Sequence, residues 1–106
     1  MKFTTLIPTF RNNGEPVEKV ELEAIFESFQ GAFGGCSIDG PVRGHWVDET
    51  NGTKYADECF RVEVVCDNAR LGEAEAAVIA IGRQLDQETI YFEVRDFDGV
   101  RFLRIK

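Results

Sequence analysis

Between Val17 and Phe33 the apolar residues Leu22, Ile25, Phe26, Phe29 and Phe33 recur at three- and four-residue steps. That spacing predicts one stripe of an amphipathic helix, with Glu21, Glu23 and Glu27 interleaved on its polar side. Pro16 suits the first turn of such a helix. Gly34-Gly35 ends it, since glycine takes the left-handed cap conformation cheaply. Ahead of the helix, residues 2–10 are rich in Thr, Phe and Ile and predict a strand, followed by a turn at "RNNGEP". Beyond Gly35, strands are predicted over 36–48 and 54–66, with Glu49 to Gly52 as the hairpin turn and Asn51-Gly52 at its centre. The second of these alternates cleanly. Phe60, Val62, Val64 and Cys66 point one way, and Cys59, Arg61, Glu63 and Val65 the other, as in a strand with one face on a core.

The stretch from Cys66 to Gln87 predicts a second helix, with Ala74, Val78, Ile81 and Leu85 as its stripe. Gly82 inside that helix costs about 1 kcal/mol relative to Ala, which a close approach to the sheet would explain. A strand from Thr89 to Arg95, a turn at Asp98-Gly99 and a last strand from Val100 to Ile105 complete the pattern.

The predicted order is β-α-β-β-α-β-β, an α+β fold. Its first six elements are those of a ferredoxin-like plait, in which both helices cover one face of a four-stranded antiparallel sheet. The first and third strands take the centre, and the fifth lies at the edge next to the fourth. A length of 106 residues leaves no room for a second core, so residues 1–106 are expected to form a single ferredoxin-like domain. The apolar runs are too short to span a bilayer. "MKFTTLIPTF" reads as the first strand and not a signal peptide, so the expected location is cytoplasmic with no membrane partner.

A formal net charge of −7 argues against nucleic acid as a partner, because phosphate neutralisation needs clustered Lys and Arg. The predicted third strand, "DECFRVEVV", also lacks the basic and aromatic run of an RNA-binding strand. Glu15, Glu18, Glu21, Glu23 and Glu27 concentrate negative charge on the first helix. They form a solvated face or a docking face for a basic partner. The three cysteines, Cys36, Cys59 and Cys66, follow no paired spacing and read as free thiols. With His45 they are too scattered for a structural zinc site, so no metal and no cofactor is expected.

Candidate chemistry centres on "GGCSIDGPVRGHW", Gly34 to Trp46, which holds the only His and the only Trp. His45 is a candidate acid/base near neutral pH, with Asp57 or Glu58 to orient it. Otherwise it is a half-exposed strand histidine beside a packed Trp. No nucleophile motif or phosphate loop accompanies it. On the sheet face away from the helices, Arg61, Glu63, Tyr91 and Glu93 are expected, joined by either His45 or Trp46. Such a bare face suits a homodimer or a small-molecule ligand. Trp46, Asp57 or Glu58, and Gln87 are expected near one edge, giving Trp46, Gln87, Arg61 and Tyr91 as candidate ligand-binding residues. Alternatively, the acidic residue only bonds the Trp46 N–H and Gln87 only caps the second helix.

"FGGCSIDGPVRGHWVDETNGTKYADE" and the later "DQETIYFEV" resemble a group of small bacterial domains of unknown function. The matching places are Gly44-His45-Trp46, Gly52, Asp57 or Glu58, and Gln87-Glu88. The resemblance implies the plait fold and no particular activity. Three functions follow as expectations. The first is a non-catalytic, homo-oligomeric binding or accessory module. The second is a small plait-type enzyme acting on a small molecule, with His45 as acid/base. The third is a protein-interaction partner in a toxin–antitoxin or phage-related pair.

Overall fold

The structure, a computed structural model, describes residues 1–96 and 101–106. The elements are β1 (Lys2–Pro8), α1 (Lys19–Phe33), β2 (Ser37–Val47), β3 (Lys54–Val65), α2 (Leu71–Gln84) and β4 (Phe92–Arg95), with a short 3-10 turn at Asn68–Arg70. The four strands form one antiparallel sheet in the order β2-β3-β1-β4. The fold is therefore α+β, with β1 and β3 central. Among the described residues no helix is long and apolar enough to cross a membrane.

Register explains where the core lies. Phe3 pairs with Val64, Thr5 with Val62 and Ile7 with Phe60, while Phe92 and Val94 of β4 pair with Thr5 and Phe3. Side chains on paired residues share a face, so Phe3, Ile7, Val62 and Val64 point together. Leu22, Ile25, Phe29 and Phe33 of α1 and Ala74, Val78 and Ile81 of α2 close over them in one cluster. Phe3 is its hub, with ring centroids 5.3 Å from Phe33, 5.5 Å from Phe92 and 6.3 Å from Phe29. Thr5 is fully buried on the same face, and its hydroxyl donates to the Tyr91 carbonyl at 2.8 Å. That bond satisfies a buried polar atom and fixes the backbone entering β4.

The helix ends follow the sequence. Gly34 takes φ 87°, in the left-handed region, and its N–H donates to the Gln30 carbonyl at 2.8 Å. Arg70 links the helices: its guanidinium lies 4.5 Å from the Phe33 ring centroid, pairs with Glu73 at 2.7 Å and donates to the Ala32 carbonyl. Arg11 does the same at the other end, donating to the Gln84 carbonyl at 2.8 Å and pairing with Glu21, which also accepts from Gln84 Nε2 at 3.0 Å. Gly82 is explained by proximity, as expected, although the neighbour precedes β4. A Cβ there would lie 3.2 Å from Ile90 Cγ2.

The chain end departs from expectation. Residues 101–106 form no strand, and Phe102, Leu103 and Ile105 are 86%, 79% and 88% exposed. The predicted Asp98-Gly99 turn and Val100 lie outside the described residues. Alternation is a local signal, whereas a strand also needs an edge to pair with. Phe102 instead lies beside a hollow lined by Lys2, Phe33 to Ser37, Glu63 and Val65.

Truncating the hub's partner should show what the core is worth. Phe29→Ala removes a ring only 1% exposed, and urea unfolding should register a loss of about 3–5 kcal/mol.

Candidate functional site

β3 is longer than β1, which pairs with it only from Cys59 to Val65. Lys54 to Glu58 and Arg43 to Val47 therefore project as a two-stranded arm beyond the β1 pairing. A bulge between Asp39 and Val42 precedes the arm, and a turn closes it. In that turn Gly52 N–H donates to the Asp48 carbonyl at 2.7 Å and Asp48 N–H to the Thr53 carbonyl at 2.8 Å. The Asp48 carboxylate accepts from Thr50 N–H at 2.8 Å, and this bond holds its pKa below the usual range.

Pairing sets the faces of the arm. Trp46 stands opposite Tyr55, Gly44 opposite Asp57 and Val42 opposite Cys59. Because Cys59 and Arg61 alternate with the core residues Phe60 and Val62, this whole set lies on the side away from the helices. His45 pairs with Ala56 and Arg43 with Glu58, so both His45 and Glu58 take the other side. His45 is exposed. No side-chain hydrogen bond joins it to Asp57 or Glu58 among the described residues. Of the two residues in question, the bare face gains Trp46.

Trp46 is 41% exposed, not packed in the core. Its indole folds back along its own strand over Gly44, where a Cβ would come within 2.8 Å of Cζ2 and 3.1 Å of Cε2. Glycine here serves close approach. The ring forms one wall of an open cleft of about 740 Å³. Leu6, Pro8, Phe10, Arg11, Tyr55, Asp57, Glu58, Cys59, Gln87 and Tyr91 line it as well. Four candidates from the sequence, Trp46, Asp57, Glu58 and Gln87, thus border the same space, as does Tyr91, whereas Arg61 and His45 do not. Arg61 faces Asp39 at 3.5 Å. Tyr55, Phe10 and Arg11 were not predicted; the Trp46–Tyr55 pairing across the Asn51-Gly52 turn was the signal for the first of them.

Gln87 has a structural duty. Its Nε2 donates to the Leu85 carbonyl at 3.0 Å and the Phe10 carbonyl at 3.3 Å, joining the end of α2 to the loop after β1. Glu58 is held through its carbonyl, which accepts from both N–H and Oγ1 of Thr9 at 3.0 Å. Arg11 is already engaged by Glu21 and Gln84. The carboxylates Asp48, Asp57 and Glu88 around the cleft therefore outweigh it. Tyr91 donates to Glu93 Oε2 at 2.6 Å, and Arg95 Nε donates to Glu93 Oε1 at 3.0 Å. These bonds hold the Glu93 pKa down and push the Tyr91 hydroxyl up.

All three thiols have raised pKa values, with burial the first cause. Cys36 Sγ lies 3.8 Å from the Phe26 carbonyl. Cys59, at the floor of the cleft, is pushed up to about 11 by burial and by the nearby Asp57 carboxylate.

No family model and no curated protein sequence matches the chain. Among solved structures, it is similar to a phage SAM lyase in complex with S-methyl-5'-thioadenosine, with a TM-score of 0.71 and 10% sequence identity. The match covers 90% of this chain and 79% of that one. At this identity the likeness is one of fold. It contradicts the non-catalytic accessory-module reading, because the solved protein that shares this architecture is an enzyme.

Two measurements probe this site. Gly44→Ala should displace the indole, red-shifting and broadening Trp46 emission while changing stability by less than about 1 kcal/mol, the scale of an exposed-site change. Cys59 gives a pH dependence. Its folded pKa of about 11 exceeds the ordinary 9.0, so its contribution to stability is complete below about pH 9 and is lost as pH rises towards 11. Cys59→Ser should flatten that alkaline decline in thermal melts.

Proposed function

We propose that the chain is a small-molecule enzyme whose site is the cleft beneath the arm, and that its substrate is a nucleoside sulfonium of the S-adenosylmethionine kind. We read the architecture as a ferredoxin-like plait, with the site on the bare side of its sheet. The observation that carries the proposal is the convergence of three exposed aromatic rings, Trp46, Tyr55 and Tyr91, with the Asp57 carboxylate around one cleft. A phage SAM lyase shares the fold.

The chemistry of such a substrate fits this lining. A purine stacks on an indole or phenol ring, and a sulfonium is attracted by the same ring faces. Carboxylates accept from ribose hydroxyls and favour a cation. Arg11, neutralised by Glu21, does not oppose that preference. Phosphorylated nucleotides fit poorly, since the cleft offers carboxylates where they require donors.

The reaction assigned is carbon–sulfur cleavage. The bonding pair moves to sulfur, and the positive sulfonium leaves as a neutral thioether. The carbon it leaves is satisfied in one of two ways. It gains a bond from the substrate's own carboxylate, or it shares the electrons of an adjacent C–H bond whose proton passes to a base. In the first route the protein's task is to bind, to fold the reacting arm back on itself and to exclude water. Trp46 and Tyr55 would hold the base, and Asp57 the ribose.

Incubation with S-adenosylmethionine, followed by chromatography for S-methyl-5'-thioadenosine, tests this directly. Turnover should appear, and Trp46→Ala and Asp57→Asn should each lower kcat/KM by about tenfold or more, the worth of one stacking or hydrogen-bond contact. Absence of product together with unchanged Trp46 fluorescence at saturating substrate would overturn the assignment.

A further inference from the structure

The sheet ends at β2 on one side and β4 on the other, and the two edges differ. The β2 edge carries the bulge after Asp39 and includes Pro41, which has no N–H to offer a neighbour. Such features discourage strand addition. The β4 edge, Phe92–Arg95, has neither bulge nor proline, and no described residue pairs with its outer side.

Residues 101–106, "RFLRIK", combine exposed apolar side chains with three cations in a strand-like alternation. Phe102 lines a hollow with Lys2, Ser37, Glu63 and Val65 and with no residue of β4, so it is not laid along the β4 edge of its own chain. We propose that residues 101–106 of one copy add as a strand to the β4 edge of a second copy, joining the chains through their sheets.

Pattern and charge support this pairing. Placing Leu103 and Ile105 on the helix side sets them beside Phe92 and Val94, the β4 residues that face the core. Period-two alternation then puts Arg104 beside Glu93 on the bare face, whichever way the added strand runs. Glu93 accepts one bond from Tyr91 and one from Arg95, and a carboxylate has room for further donors. The cationic segment also carries Arg101 and Lys106, in a chain whose net charge is −7. Main-chain hydrogen bonds supply affinity in such strand additions, and the alternate side chains supply register.

Light scattering coupled to size exclusion, on the full chain, tests the proposal. The wild type should run at twice the mass of one chain at high concentration. Leu103→Asp with Ile105→Asp should run as a monomer. Both positions are exposed within one chain, so circular dichroism should be unchanged. Glu93→Arg should weaken the dimer by about fivefold, the scale of one cross-strand pair, and Glu93→Arg with Arg104→Glu should restore it. A monomeric wild type overturns the proposal, as does a dimer that the Leu103/Ile105 changes leave intact or a charge reversal that brings no recovery. Each outcome is independent of turnover on any substrate.

Discussion

Pairing between β1 and β3 governs both the core and the cleft. With Phe3 opposite Val64 and Ile7 opposite Phe60, the core side chains Phe3, Ile7, Val62 and Val64 of the two central strands meet the helices. A slip of one residue would turn Phe3 and Ile7 to the bare side and bring Lys2, Thr4 and Leu6 beneath α1 and α2. The same pairing carries outward along β3 into the arm. There it sets Tyr55, Asp57 and Cys59 on the cleft side and Ala56 and Glu58 on the other. Core register and site geometry are one constraint read at two ends of a single strand.

Polar contacts fasten what that register arranges. Thr5 reaches the carbonyl of Tyr91, Thr9 holds the carbonyl of Glu58, and Gln87 bridges α2 to the loop after β1. Each joins parts of the chain distant in sequence, and each ends on backbone. The backbone rim of the cleft is thereby fixed, while Asp57 and the rings of Trp46 and Tyr55 stay solvent-facing. Arg11, Glu21 and Gln84 close the end of the helix layer nearest this rim. One arginine is thus assigned to the scaffold, leaving the cleft acidic.

Much of this was legible in the sequence, for local reasons. The three- and four-residue steps from Leu22 to Phe33 and the alternation from Cys59 to Val65 each report a single buried face. Gly34 ended α1 where a glycine should. The exposed indole was not legible, because it depends on Gly44 leaving room for a ring two residues further on. Nor was the role of Arg11, whose partners lie on two other elements. The separation of His45 from Asp57 depends on pairing across the hairpin, which neither strand's own pattern reveals. Residues 101–106 alternate as a strand does, yet alternation names no partner, and within the chain they do not form one.

The arm has a consequence for how such a protein diversifies. None of its residues belongs to the buried cluster around Phe3. Insertions or replacements between Asp48 and Thr53, or along the outer rungs of the hairpin, alter the wall of the cleft while leaving folding stability almost untouched. The ground on which ligand preference is decided is therefore separate from the ground on which the fold is maintained. Sequences can drift far apart on the first while keeping the second, and an architecture shared at very low identity is the expected outcome of that freedom.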